Sequence, residues 1–212
     1  MKETDIKELN IKQTEIEKNT EADTKEIEMK ERIIEAVIKE FNEKCLKFTM
    51  DDIAKELGIS KRTLYGFVKD KESLFLEAVD EVYLAIKESE REIAANQTWN
   101  TLEKLKRILI VLPQKYQTLD YRQLYELKTK FPLVYKKVET RIETDWEATF
   151  ALLEDAIKEG SIRNISFPVF QAMVSGTIEY YLSHTILLDH DIPYETALEE
   201  MLDMLFEGIL VK

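Results

Sequence analysis

The residues best suited to chemistry in this 212-residue chain lie between Ser60 and Lys71. Lys61, Arg62, Thr63, Tyr65 and Gly66 occur in close succession, and Lys69 and Lys71 follow. Long cations neutralise phosphate, hydroxyl and phenol groups hydrogen-bond phosphates or base edges, and glycine lets a backbone approach closely. An isolated Lys-Arg-Thr triplet is ordinarily solvated surface, so the surroundings must decide. Other chemistries find little support. One cysteine, Cys45, and two histidines, His184 and His190, give no basis for a metal site. The sequence has no Gly-rich phosphate loop, serine elbow or HExxH. Recognition without cofactor or metal is expected, and an enzyme is not.

Positioning those side chains requires short helices that cross steeply. Thr49 can cap a helix over Met50–Leu57, with Asp52 completing a capping-box-like arrangement. Gly58 ends it, as a residue able to take positive φ does. Ser60 caps a third helix, Lys61–Val68, and Asp70 a fourth running from Lys71 towards Ala94. So short a link between the second and third helices forces the geometry of a helix-turn-helix. Ile53, Ala54, Leu57, Ile59, Leu64 and Val68 form a shared apolar set. A preceding helix from Met29 offers a wide stripe of Ile33, Ile34, Val37, Ile38 and Phe41. The third helix then presents Lys61, Arg62, Thr63, Tyr65 and Gly66 outward.

Charge is segregated in the same way. Over Lys44–Lys71 seven bases accompany four acids, a net of +3 in a chain of −12, which leaves −15 for the rest. Bulk acidity argues against a polyanion partner, but a cationic island restores that partner for one end of the molecule. Gly 5 and Pro 4 are too few breakers for a sandwich or barrel, so the fold is expected to be all-α. The most apolar stretch, Phe170–Leu188, contains Gln171, Ser175, Glu179, Ser183 and His184, so no membrane partner is expected. A charged beginning and a single cysteine fit a reducing cytoplasm.

Three parts are expected. Residues 1–28 form a charged arm of net −4 whose heptad frame is interrupted by Gln13, Thr20, Asp23 and Lys30; it reads as frayed, with a solvated helical extension as the alternative. Residues 29–75 hold the helix-turn-helix. Residues 76–212 hold long amphipathic helices over roughly Thr101–Gln117, Tyr121–Lys130, Pro132–Glu159, Phe167–Asp189 and Tyr194–Leu210.

The run Thr49-Met-Asp-Asp-Ile-Ala-Lys-Glu-Leu-Gly-Ile-Ser-Lys-Arg-Thr-Leu-Tyr65, followed by Lys69-Asp-Lys-Glu-Ser-Leu74, resembles the DNA-binding domain of the TetR/AcrR family of bacterial transcriptional regulators. The match spans about Met29–Val79. The larger part is similar to the family only in size and helix rhythm. The resemblance implies a homodimer on double-stranded operator DNA, with a small-molecule effector in the larger domain. Its DNA-facing residues would be Thr49, Ser60, Lys61, Arg62, Thr63, Tyr65, Gly66, Lys69 and Lys71, with Tyr65 touching phosphate. Lys44 replaces the family's usual glycine at the end of the first helix, so a left-handed Lys44 is expected at a cost of ~1 kcal/mol. Val68 replaces an aromatic, and Cys45 falls where the family packs an apolar side chain. Most in keeping is a ligand-relieved repressor on a palindromic operator; the alternative is a helical interaction protein whose helix-turn-helix contacts protein.

In the larger part, clustered aromatics suggest an apolar effector pocket between helices. Its candidate residues are Tyr116, Tyr125, Trp146, Phe150, Glu179 and Tyr180. Glu179, the sole charge between Arg163 and Asp189, needs a partner and reads first as a structural pair, second as a pocket acid. His184 reads as a hydrogen-bonded core histidine. Leu198, Met201, Leu202, Leu205, Phe206 and Ile209 give a broad apolar face, expected to form the dimer seam with Gly176 of the preceding helix.

Overall fold

The computed structural model describes the backbone of residues 3–211 and the side chains of residues 24–211. Its helices are α1 (Glu3–Lys44), α2 (Met50–Glu56), α3 (Lys61–Phe67), α4 (Lys71–Ala95), α5 (Thr101–Leu109), α6 (Leu127–Lys130), α7 (Pro132–Glu143), α8 (Glu147–Lys158), α9 (Phe167–Ser183), α10 (Ile186–Asp189) and α11 (Tyr194–Glu207). Tighter 3-10 turns cover Cys45–Lys47, Gln114–Tyr116 and Tyr121–Glu126. The fold is all-α, a small helix cluster followed by a larger helical bundle. The expectation of a frayed arm falls largely on side chains outside the described residues; the backbone of α1 includes it from Glu3 onward.

Local chemistry sets the first cluster. Thr49 and Asp52 form the reciprocal capping box, with the Thr49 amide donating to Asp52 Oδ2 at 2.7 Å and the Asp52 amide to Thr49 Oγ1 at 3.3 Å. Ser60 Oγ accepts from the Thr63 amide at 3.0 Å, and Asp70 Oδ1 from the Ser73 amide at 2.8 Å. Each such cap is worth about 1 kcal/mol. Gly58 takes φ +67°, the left-handed turn that frees α3 to cross α2. Ile53, Leu64 and Leu74 are wholly buried with Ile33, Val37 and Phe41. The same cluster continues through Phe75 into Leu127, Val134 and Tyr135, so the first unit and α6–α7 share one core.

Tertiary contacts override several helix lengths expected from periodicity. α5 stops at Leu109 instead of Gln117, with Pro113 lying just beyond. The expected Pro132–Glu159 helix divides at Asp145, which takes φ +60°. That break is held by Tyr83, whose hydroxyl donates to Asp145 Oδ2 at 3.1 Å, and by Lys87, which donates to the Asp145 carbonyl at 2.9 Å. Trp146 Nε1 donates to the Ile142 carbonyl at 3.0 Å and occupies a helix-end acceptor. The expected Phe167–Asp189 helix is interrupted at His184, whose backbone is extended. His184 is exposed and stacks on Tyr180, so it is not a core residue.

The left-handed residue expected at Lys44 lies one position later. Lys44 has φ −124°, whereas Cys45 has φ +52°. The Lys44 ammonium pairs with Glu40 at 2.7 Å and Asp52 at 3.0 Å, which anchors it on the α1 side and leaves the turn to the smaller residue. Cys45 is half-buried, its Sγ 3.4 Å from Gln123 Oε1.

The α11 face expected at a dimer seam is turned inward. Leu198, Met201, Leu202, Phe206 and Ile209 are at most 9% exposed within one protomer, packed with Leu105, Leu153 and Phe170. The core shared by α5, α8 and α9 consumes that stripe, and Leu205 is only partly buried at its margin. The exposed apolar residues lie on α9 instead: Val169, Met173 and Tyr180, with exposed Gly176 in the same i, i+4, i+7, i+11 row.

Candidate nucleic-acid interface and ligand cavity

Lys61, Arg62, Thr63, Tyr65 and Gly66 are all exposed on α3, while Leu64 is buried beneath them. Thr49, Lys69 and Ser60 are exposed at the adjoining helix ends. A Cβ built on Gly66 would meet nothing within 4 Å, so this surface is open. Some of the candidates are partly engaged by the protein itself. Lys61 pairs with Asp51 of α2. Thr49 and Ser60 spend their hydroxyls on caps, the latter also 2.8 Å from Thr63 Oγ1. Arg62 and Tyr65 stand without such partners among the described residues. The Thr49 hydroxyl and then the Lys44 ammonium hold the Asp52 carboxyl well below the usual carboxylate range, which keeps the α2 cap charged.

Lys71 departs from the expected phosphate-facing role. Its amino group turns inward, donating to the Leu46 carbonyl at 2.7 Å and to the Phe48 carbonyl, and lies 3.9 Å from the centroid of the Phe48 ring. Burial brings its pKa down to about 8, against an ordinary 10.5. It is a clasp on the chain leaving α1. Lys71→Ala leaves two carbonyls short of a donor, so a stability loss of about 1–3 kcal/mol is expected in urea unfolding. The sign of the pH dependence follows from the lowered value. Between pH 8 and 10.5 the unfolded chain holds more protons, so the wild-type advantage over Lys71→Ala should grow with rising pH.

A cavity of about 250 Å³ runs between the two units. α4 lines it from Phe75 to Glu90, a length of about 22 Å at helical rise. Next to the first unit its wall is apolar, formed by Val37, Ile38, Phe41, Phe75, Leu127 and Val134. Further along α4, Tyr83, Lys87 and Glu90 meet Arg141 and Asp145. Lys87 donates to both Glu90 carboxylate oxygens at 2.9 and 2.8 Å and to the Asp145 carbonyl. Arg141 donates to Asp80 at 3.0 Å and packs over the Tyr83 ring. Burial pushes the Glu90 carboxyl up despite Lys87, and pushes the Tyr83 phenol up with help from Asp145. Among the described residues no group of three potential ligands could hold a metal ion.

Residues 33–78 match the family model described as bacterial regulatory proteins, tetR family. Over 182 residues the chain is 36% identical to the uncharacterized HTH-type transcriptional regulator YvaF of Bacillus subtilis (strain 168), covering 85% of this chain and 95% of that protein. The chain belongs to the TetR family. Among solved structures it is similar to FadR from Bacillus subtilis in complex with stearoyl-CoA, with TM-score 0.59 at 20% identity over 84% of this chain and 98% of that one. It is likewise similar to the TetR-family regulator PfmR from Thermus thermophilus, with TM-score 0.56 at 20% identity over 83% and 97%. These two likenesses concern the fold. As a TetR-family member the protein is a DNA-binding transcriptional regulator and not an enzyme. Among the described residues no helix is long and apolar enough to cross a membrane.

Of the six residues expected at an effector site in this TetR-family chain, Trp146 alone lines the cavity. Tyr116 is buried against Ile34 and Ile38, and Phe150 stacks on Phe167 at 5.3 Å. Tyr125 is half-buried outside the lining. Glu179 accepts from the Tyr135 hydroxyl and lies 3.8 Å from Lys128, the structural pairing a lone carboxylate needs. Tyr180 faces outward. Clustered aromatics do not reveal helix phase, whereas polar residues on an apolar stripe do. On α4, Phe75, Val79, Val82 and Ile86 recur at core spacing, and Glu90 continues that row with Tyr83 and Lys87 beside it.

Proposed function

We propose that this TetR-family regulator is a ligand-relieved repressor that binds a palindromic operator as a homodimer, its α3 helices in successive major grooves. The observation that carries the reading is the course of the cavity. Its apolar wall includes Val37, Ile38 and Phe41 of α1 and Phe75 at the start of α4, which also belong to the first unit or adjoin its core. A ligand there touches the helices that carry α3, so occupancy and half-site spacing compete for the same packing. Moving the population from 1:99 to 99:1 requires a preference of about 5.5 kcal/mol for the non-binding conformer. The stearoyl-CoA bound by the similarly folded FadR supports an elongated apolar effector.

Selection from random double-stranded DNA tests the reading, followed by affinity measurement across salt concentrations. Two inverted half-sites about 34 Å apart, or a multiple, are expected, with affinity falling steeply as salt rises. Enrichment of no DNA, or affinity indifferent to salt, favours the helix-turn-helix as a protein contact and ends this proposal.

A further inference from the structure

The cavity wall carries four charged side chains, Lys87, Arg141, Glu90 and Asp145, two of each sign. Each is already engaged, the Asp145 carboxylate by the neutral Tyr83 hydroxyl. The Lys87 ammonium has three acceptors, which matches its three donors. Arg141 is balanced by Asp80, which also takes Lys137. Across this group three cations meet three carboxylates. A carboxylate or ammonium entering the cavity would therefore be desolvated against a wall of zero net charge, the unfavourable case for a buried ion.

A second observation lies in the same wall. Tyr121 is only 8% exposed and lines the cavity, and its hydroxyl has no hydrogen-bond partner among the described residues. Its ring is held by stacking on Tyr194 with centroids 5.0 Å apart, so the phenol cannot readily swing to water. A buried hydroxyl without a partner is uncommon because it forfeits the hydrogen bond it had in the unfolded chain. A neutral oxygen on a ligand satisfies that hydroxyl and leaves the balanced charges undisturbed.

We propose that the effector is an uncharged amphiphile whose hydroxyl, carbonyl or lactone oxygen hydrogen-bonds Tyr121, and that the cavity discriminates against acyl anions and lipophilic cations. The inference rests on the ligand-cavity reading above and narrows it, since an acyl chain alone would leave the head group open.

The test compares four probes that share a dodecyl-length skeleton, dodecan-1-ol, γ-dodecalactone, dodecanoate and dodecyltrimethylammonium, at pH 7 and below their micellar concentrations. Binding is followed by the fluorescence of Trp146 and Trp99 and by thermal shift, with wild type and Tyr121→Phe. The two neutral probes are expected to bind roughly tenfold or more tighter than the two ions. Tyr121→Phe should weaken the neutral probes by about tenfold, leave the ions unaffected, and melt no lower than wild type when free. Ions that bind as tightly as the alcohol overturn the inference while sparing the ligand cavity. So does a Tyr121→Phe protein that binds neutral probes as well as wild type, or that unfolds at markedly lower temperature when free, since either outcome assigns the hydroxyl elsewhere. Failure of all four probes to bind overturns the cavity reading together with the inference.

Discussion

Arg62→Ala should weaken operator binding by about 2–6 kcal/mol, because each base contact is worth about 1–3 kcal/mol and a symmetric dimer loses it twice. In affinity that is between about 30-fold and 10⁴-fold. Arg62 is the cation on α3 that is exposed and free of an internal acid among the described residues, so its guanidinium is available in full. Lys61→Ala should cost less. The Lys61 ammonium is already paired with Asp51, and a phosphate must displace that carboxylate before it gains the cation. Asp51→Asn is therefore expected to tighten binding to all sequences and steepen its salt dependence. Gel shifts of the three variants on operator and on unrelated DNA check the order. Arg62→Ala with wild-type affinity would remove the α3 face from the interface.

Legibility in the sequence followed the range of the interactions. The caps at Thr49, Ser60 and Asp70 and the turn at Gly58 depend on residues within three or four positions, and the structure contains each of them. The exposed face of α3 follows from its short register against α2. Longer-range features were hidden. Lys71 reads as a surface lysine until the fold brings the carbonyls of Leu46 and Phe48, more than twenty positions earlier, within reach. The break at Asp145 depends on Tyr83 and Lys87, about sixty positions away. Cavity residues were missed because a lining position and a core position share one periodicity, and what separates them is the volume left by other helices. The α11 stripe reads as a partner-facing surface for the same reason. An apolar face announces burial without naming what buries it, and here α5, α8 and α9 of the same protomer do so.

The outward stripe of α9 has a different composition, and its disruption should have the largest effect on assembly. Between Arg163 and Asp189 the sole charged residue is Glu179, and it is turned to Tyr135. Val169, Met173, Gly176 and Tyr180 thus form an exposed row with no charge in it, a composition that a water-facing helix rarely keeps. Met204 of α11, 69% exposed, adds a further apolar side chain. A second copy related by a two-fold axis would cover such a row with its own equivalent, and Gly176 lets the two backbones approach closely. Met173→Glu then places two carboxylates, one from each protomer, in a seam that offers neither a counter-charge. Breaking burial in this way costs about 3–5 kcal/mol for an uncompensated ion, and the symmetry doubles it. The variant should sediment as a helical monomer at micromolar concentration with an unchanged circular dichroism spectrum, and lose cooperative operator binding. Leu202→Glu is the contrasting control. Leu202 is 2% exposed inside one protomer, so its charge should unfold the larger unit instead of dissociating a folded pair. A Met173→Glu protein that stays dimeric moves the interface off α9, whereas a monomer that still melts cooperatively fixes the two-fold contact on a surface distinct from the α11 core.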